Sequence, residues 1–325
     1  MDGIKEMEKK KRYSDYNTYL RQLFGQRVQK ISIDAGLSCP NRDGMLSRKG
    51  CIYCNSKGSG SGMFSRGFSI KEQIEKGKIA MIKKYKAKKF LAYFQSYTNT
   101  YTTCHHMQQM FEEAFSCDGV VGMAIGTRPD CIDDQKIDLI ASYAKSYLVW
   151  LEYGLQSVHD TTLKTINRGH SVEDFFKAVD LTQGRGINIC AHVILGLPGE
   201  DRNMMLETAK ILADSQINGV KIHLLYVIKE TFLDRMWKNG KYVPMDQEEY
   251  VNMVCDFLEL LPKRIIIQRI TGDPHLDELQ APLWAGRYRE TFNMIQAVLE
   301  TRDSFQGKAY KRKDNGWENS QAPTV

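Results

Sequence analysis

Short β-branched or apolar runs alternate with amphipathic stretches along most of this 325-residue chain, and no other feature constrains its fold as strongly. The runs fall at 28–34 (VQKISID), 90–96 (FLAYFQS), 120–126 (VVGMAIG), 147–154 (YLVWLEYG), 187–196 (INICAHVILG) and 219–227 (GVKIHLLYV). Helical periodicity fills the intervals: Ser69 to about Lys86, Thr103–Phe115, Asp133–Lys145 with Asp133 as N-cap, Thr161–Ile166, Val172–Gln183, and a helix opening near Asp201. Strand then helix, repeated, implies parallel strands joined by crossovers. Six units at roughly thirty-residue spacing predict an α/β fold, an incomplete (β/α)6 barrel of the TIM type. No GxGxxG follows the first run, which argues against an open dinucleotide-binding sheet. Beyond about residue 230 the pattern changes to an amphipathic helix at 245–262, a strand at 264–270 and a helix near Arg287–Leu299. The predicted division is a basic and polar extension (1–27), a core barrel (28–230), a C-terminal α/β extension (231–305) and a mobile polar tail (306–325).

Cys39, Cys51 and Cys54 follow the first run directly, in CPNRDGMLSRKGCIYCN. Barrels of parallel strands carry their sites at C-terminal strand ends, which is where this loop falls. Two thiolates of a CxxC turn reach one metal centre, and Cys39 folds back to supply a third. Three thiolates are one short of closing a cubane iron–sulfur cluster, so one iron stays open to a further ligand. A structural zinc knuckle is the other reading; it is closed and needs a fourth ligand such as Cys104 or His105. From the cysteines alone both readings stand.

Other strand ends carry polar groups or glycine. The second ends in QSYTNTY (95–101) and the third in GTRPD (126–130), where Arg128 and Asp130 either face the mouth or form a surface ion pair. In the fourth, alternation puts Trp150, Glu152, Gly154 and Gln156 on one face and Val149, Leu151 and Tyr153 on the other. A glutamate in so apolar a strand is costly unless paired or wet, so Glu152 is expected to face a polar ligand inside the barrel. The fifth ends in LGLPGE (195–200), with Gly196 allowing close backbone approach and Pro198 fixing the chain before the next helix. His192 and His223 read as satisfied core residues, and Cys104, Cys117, Cys131, Cys190 and Cys255 as buried free thiols. Glycines in KGSGSGMFSRG (57–67) predict a flexible loop.

A formal net charge of +6 arises mainly from Lys9–Arg12, Lys83–Lys89 and Lys308–Lys313. Solvated helix faces are the ordinary cause of such segments; the functional expectation is that they frame the barrel mouth for RNA. No apolar run reaches membrane-span length and no signal-peptide block follows the basic start, so a cytoplasmic protein without membrane contact is expected. Eight cysteines in a chain this long do not make a disulfide framework, and a reducing compartment suits thiolate ligands.

Cys39, Cys51, Tyr53 and Cys54, with QSYTNTY, GTRPD, LEYGLQS, INRGHS, HVILGLPGE and VKIHLLYVIKET, resemble the core of radical S-adenosylmethionine (SAM) enzymes. Within that superfamily the chain is similar to the YhcC/YtqA-type family, related to the radical SAM half of elongator-type proteins. The resemblance spans roughly residues 15–300. It implies a [4Fe–4S] cluster on Cys39, Cys51 and Cys54, with SAM on the open iron. It further implies Tyr53 near the adenine, Ser96 and Tyr97 at the SAM amino group, and Glu152 and Gln156 around its ribose and methionine. Leu195 to Pro198, including Gly196, would lie beside adenine. The 11-residue gap between Cys39 and Cys51 departs from the commonest spacing and points to the elongator-like branch. Reductive SAM cleavage and hydrogen abstraction are the implied chemistry, with a donor such as flavodoxin or ferredoxin. The implied substrate is tRNA wobble uridine, carried from a carboxymethylaminomethyl to an aminomethyl side chain ahead of a methyltransferase. Two alternatives are the same chemistry on a small molecule or protein, and a zinc-stabilised RNA-binding module.

Overall fold

The computed structural model describes residues 11–55, 58, 60 and 62–311. Strands β1 (Val28–Ile33), β2 (Lys89–Phe94), β3 (Val120–Thr127), β4 (Leu148–Gln156), β5 (Asn188–Leu195) and β6 (Gly219–Leu224) pair in parallel and in chain order. A two-residue strand, β7 (Val227–Ile228), then leaves the sheet. β8 (Ile266–Arg269) adds in parallel beside β6, and β9 (Leu279–Ala281) returns antiparallel to β7. The parallel half-barrel is therefore one strand wider than the six units predicted. The seventh joins because α10 (Gln247–Leu260) is one more crossover, packed beside α8 (Arg202–Asp214).

The helices are α1 (Tyr16–Phe24), α2 (Pro40–Asp43), α3 (Ile70–Tyr85), α4 (Cys104–Phe115), α5 (Asp134–Ala144), α6 (Asp160–Thr165), α7 (Val172–Thr182), α8 (Arg202–Asp214), α9 (Phe232–Lys238), α10 (Gln247–Leu260) and α11 (Tyr288–Thr301). Local chemistry sets their starts. Ser69 and Ser171 open α3 and α7 with reciprocal capping boxes to Glu72 and Asp174, and Asp133 caps α5 by accepting from Lys136 N at 2.9 Å.

Strand alternation sorts the side chains. Val149, Leu151 and Tyr153 of β4 pack outward in the main core with the helices. Trp150 points inward and joins Tyr16, Leu20, Leu91, Tyr93 and Cys190 to fill the lower barrel. The edges β1 and β8 do not pair with each other. The segment from Ser14 through α1 fills the gap: Ile267 N donates to Ser14 O at 2.8 Å, and Tyr16 meets Trp150 edge-on at 5.5 Å. Lys30 of β1 donates to Gln268 of β8 at 2.7 Å, a further tie across the seam.

Among the described residues, the lysine-rich segments do not frame the mouth. Lys83–Lys89 runs from the end of α3 to the first residue of β2, at the N-terminal rim of the strands. Arg12 and Lys308 lie at the same end, where Gln306 N donates to Arg12 O at 2.9 Å and Ala309 N to Glu259 O at 2.9 Å. Helices that return antiparallel to the strands deposit their C-terminal lysines there, complementing their dipoles. Lys9, Lys10, Arg312 and Lys313, most of the expected polar tail, and Lys57, Ser59 and Ser61 of the glycine-rich loop lie outside the described residues. Cys117, Cys131, Cys190 and Cys255 are buried free thiols, and Cys104 is half-buried at the start of α4. No helix among the described residues is long and apolar enough to cross a membrane.

Candidate active site

The C-terminal strand ends surround a cavity of about 460 Å³, in the size range of cofactor sites. All three expected cluster cysteines line it. Cys39 stands at the N-cap of α2, with Pro40 opening that single turn, and Cys54 N donates to Cys51 O at 3.0 Å to close the CxxC turn. The Asn41 amide and the Arg168 guanidinium each bring a nitrogen to 3.6 Å from Cys51 Sγ. Arg42 steadies the turn by donating to Cys54 O at 3.2 Å.

A buried polar scaffold backs this loop. Arg168 donates to Gly154 O at 3.2 and 2.8 Å, and His170 Nε2 lies 3.0 Å from the same oxygen. Arg128 is 1% exposed and lines the cavity, whereas Asp130 is exposed and does not, so the ion pair they form runs from the cavity wall toward the surface. The Arg128 guanidinium forks onto Asp130 at 2.9 and 2.7 Å and donates to Arg168 O at 2.6 Å. Sequence reasoning passed over Asn41 and Arg168; the fold places both beside a cysteine sulfur.

Tyr53, Tyr97, Glu152 and Gln156 also line the cavity. Tyr97 adopts φ 56° and Gln156 φ 77°, left-handed conformations that bend the chain at the rim. Ser96 is buried beside Tyr97 without lining the cavity, and Gly196 and Pro198 likewise lie outside the lining. Gly196 is tied to the wall by Tyr242, whose hydroxyl donates to its carbonyl at 2.9 Å.

Glu152 faces the interior, as alternation predicts, and is fully buried. The protein itself meets the cost of its charge. Lys30 Nζ donates to one carboxylate oxygen at 2.8 Å; His192 Nε2 at 2.9 Å and Lys221 share the other. Burial pushes the carboxyl up, but Lys221, Lys30 and His192 outweigh it and hold Glu152 well below the usual carboxylate range. Lys221 also donates to the Tyr93 hydroxyl at 3.0 Å; burial brings it down to about 7, against the opposing pull of Glu152. His192 and His223 are not core residues: both line the cavity, with ring centroids 5.5 Å apart. Burial, with Lys221 second for His192 and Arg269 second for His223, keeps both neutral.

The donor set suits a cluster with one open iron. Two N–H groups face Cys51 Sγ, the arrangement that steadies thiolate sulfur. Burial, followed by the neighbouring Cys51, pushes the free Cys54 thiol up to about 11, and metal binding is what draws such a proton off. The buried Ser96 and Tyr53 hydroxyls have no hydrogen-bond partner among the described residues, which suits a polar ligand beside them. Among the described residues, no three His, Cys, Asp or Glu donors converge on a single ion. Cys104 and His105, the fourth ligands a zinc knuckle would need, do not line this cavity.

A parallel half-barrel with a cysteine loop after its first strand is the architecture of radical SAM enzymes. The Radical SAM superfamily model matches residues 46–212 and the Radical_SAM C-terminal domain model residues 217–301. The chain belongs to the radical SAM superfamily, in the group of YtqA and YhcC. It is 40% identical over 302 residues to the uncharacterized protein YtqA of Bacillus subtilis, covering 93% of this chain and 94% of that one. It is 36% identical over 266 residues to protein YhcC of Escherichia coli, covering 82% and 85%. A tRNA uridine(34) acetyltransferase of Methanocaldococcus jannaschii matches at 31% identity over 156 residues, covering 47% of this chain and 28% of that protein. The archaeal Elp3 structure from Methanocaldococcus infernus superposes with TM-score 0.67 at 19% identity, covering 86% of this chain and 64% of that one, which shows the shared fold. The superfamily works with SAM and a [4Fe–4S] cluster, so membership favours the cluster reading of the cysteines over zinc.

Proposed function

We propose that this radical SAM enzyme modifies the side chain of a tRNA wobble uridine, converting a carboxymethylaminomethyl group to an aminomethyl group. The observation that carries the RNA reading is the likeness of its barrel to tRNA uridine(34) acetyltransferases over 156 residues. In this reading Cys39, Cys51 and Cys54 hold the cluster and Tyr53, Tyr97 and Gln156 contact SAM, with Ser96, Gly196 and Pro198 supporting the wall from behind the lining. Once bound, cluster and SAM together supply hydrogen abstraction from an unreactive C–H bond.

The protein's own groups do the rest. Asn41 and Arg168 direct N–H groups at Cys51 and set the charge around its sulfur. Glu152 acts as the anion that keeps Lys30 and Lys221 in place on the floor, rather than as a free ligand group. A cytoplasmic location, a flavodoxin or ferredoxin donor and a methyltransferase acting afterwards complete the reading. Nucleoside mass spectrometry of tRNA from cells with and without the gene tests it. Loss should accumulate the carboxymethylaminomethyl nucleoside at the expense of its successors. An unchanged profile in a host lacking another route refutes the substrate and leaves the chemistry intact.

A further inference from the structure

Three strands bring basic side chains to one level of the cavity floor. The backbone register aligns Gly154 of β4, His192 of β5, Lys221 of β6 and Arg269 of β8 across the sheet. Lys221 and His192 are spent on Glu152. Arg269 and His223 line the cavity, and neither makes a hydrogen bond or ion pair among the described residues. Asp273 and Glu278 stand on the cavity wall after β8, neither within ion-pair distance of Arg269. Lys30, Lys221 and Arg269 therefore face a single floor carboxylate, Glu152. A guanidinium with both prongs free matches a planar carboxylate, and a further negative charge there lowers the floor's positive excess.

We propose that Arg269, with His223 beside it, is a subsite for a carboxylate carried by the substrate. The cofactor's own carboxylate does not suit it. Residues expected to hold cluster and SAM come from the ends of β1, β2, β4 and β5, whereas Arg269 and His223 stand on β8 and β6. Identifying the bearer of the acid as a uridine rests on the function proposed above; the subsite itself does not.

The test is calorimetric titration of the anaerobically prepared holoenzyme with 5-carboxymethylaminomethyluridine and its uncharged isostere 5-carbamoylmethylaminomethyluridine. Wild type should bind the acid about tenfold or more tightly than the amide. Arg269→Gln should shrink that ratio to about twofold or less, and Arg269→Lys should leave it intermediate because the charge remains without the fork. SAM affinity should be unchanged in both variants, which also reports that they fold. Equal binding of acid and amide by wild type overturns the subsite and leaves the uridine reading standing. An equal loss of SAM affinity in Arg269→Gln assigns the group to the cofactor and likewise overturns it. Should neither nucleoside bind, saturation-transfer NMR with propionate decides: Arg269-dependent contact keeps the subsite and removes the uridine, and its absence removes the subsite.

Discussion

Glu152 shows how one residue organises the floor of the site. Its carboxylate has no exposed surface and three partners, so removing its charge strands the buried Lys221 and the half-buried Lys30. Glu152→Gln should cost about 3 kcal/mol or more of folding stability, the scale for breaking a buried pair on one side. Denaturant titration checks this; a loss below about 1 kcal/mol would mean the lysines find other partners. Because its folded pKa lies below the unfolded value of 4.5, this stabilisation is complete above that pH and fades as pH falls through the folded value. The buried histidines act at a milder pH. Burial lowers His170 and His192 to about 4 from 6.5 and also holds His223 well below 6.5, so the unfolded chain takes up their protons first. Stability should therefore decline as pH drops from about 6.5 toward 4, and a flat urea midpoint across that window would contradict the neutral assignment. At the cysteines, alanine at Cys39, Cys51 or Cys54 should abolish SAM cleavage. A triple variant with its full iron and sulfide would show the ligands to be elsewhere. Alternation sufficed to turn Glu152 inward, because it stands among apolar neighbours. Lys30 and Lys221 sit in strands whose polar positions look unremarkable, and only the closed barrel brings them to one carboxylate across 122 and 69 residues of sequence.

At the scale of elements, every run read as a strand is a strand, because parallel strands covered on both faces must be apolar almost throughout. The first helix is legible too, although only a polar extension is expected there: Tyr16, Tyr19, Leu20, Leu23 and Phe24 recur at helical spacing, and Asp15 and a Gly25 at φ 68° mark its two ends. That helix closes the gap between β1 and β8, so its small apolar face should matter out of proportion to its size. Leu20, 2% exposed, should cost about 3 kcal/mol when cut to alanine. An exposed neighbour such as Arg21→Ala, measured by the same unfolding experiment, should fall within about 0.5 kcal/mol of wild type. Comparable losses at both positions would mean that the helix does not plug the barrel.

For the whole molecule, net charge is a poor guide to where RNA would sit. Lysine content is legible in sequence, but its place depends on which way each helix returns. The long lysine run ends α3 on the rim opposite the cavity, while Arg42, Arg48 and Lys49 stand on the cysteine loop beside it. Neutralising those three loop residues should reduce the salt slope of tRNA binding by about 0.7–0.9 per lost phosphate contact. Neutralising Lys83, Lys84 and Lys86 should leave the slope nearly unchanged. The opposite ranking in salt-dependent filter binding would place the RNA on the far rim.

The seam of the barrel also bears on how the chain folds. Ser14 N donates to Gln306 Oε1 at 2.8 Å, and Gln306 reaches Pro262 O and Ile265 O at 2.8 Å, just before β8. Residues 292 apart in sequence thus clasp each other over the edge where β1 and β8 fail to pair. During synthesis α1 and β1 emerge early and can meet, yet β8 and Gln306, which complete the seam, come far later in the chain. So distant a closure is slow, and the exposed edge is a place for misassembly while it waits. The barrel shuts last at its seam, and a chaperone acting on this protein would find its substrate there.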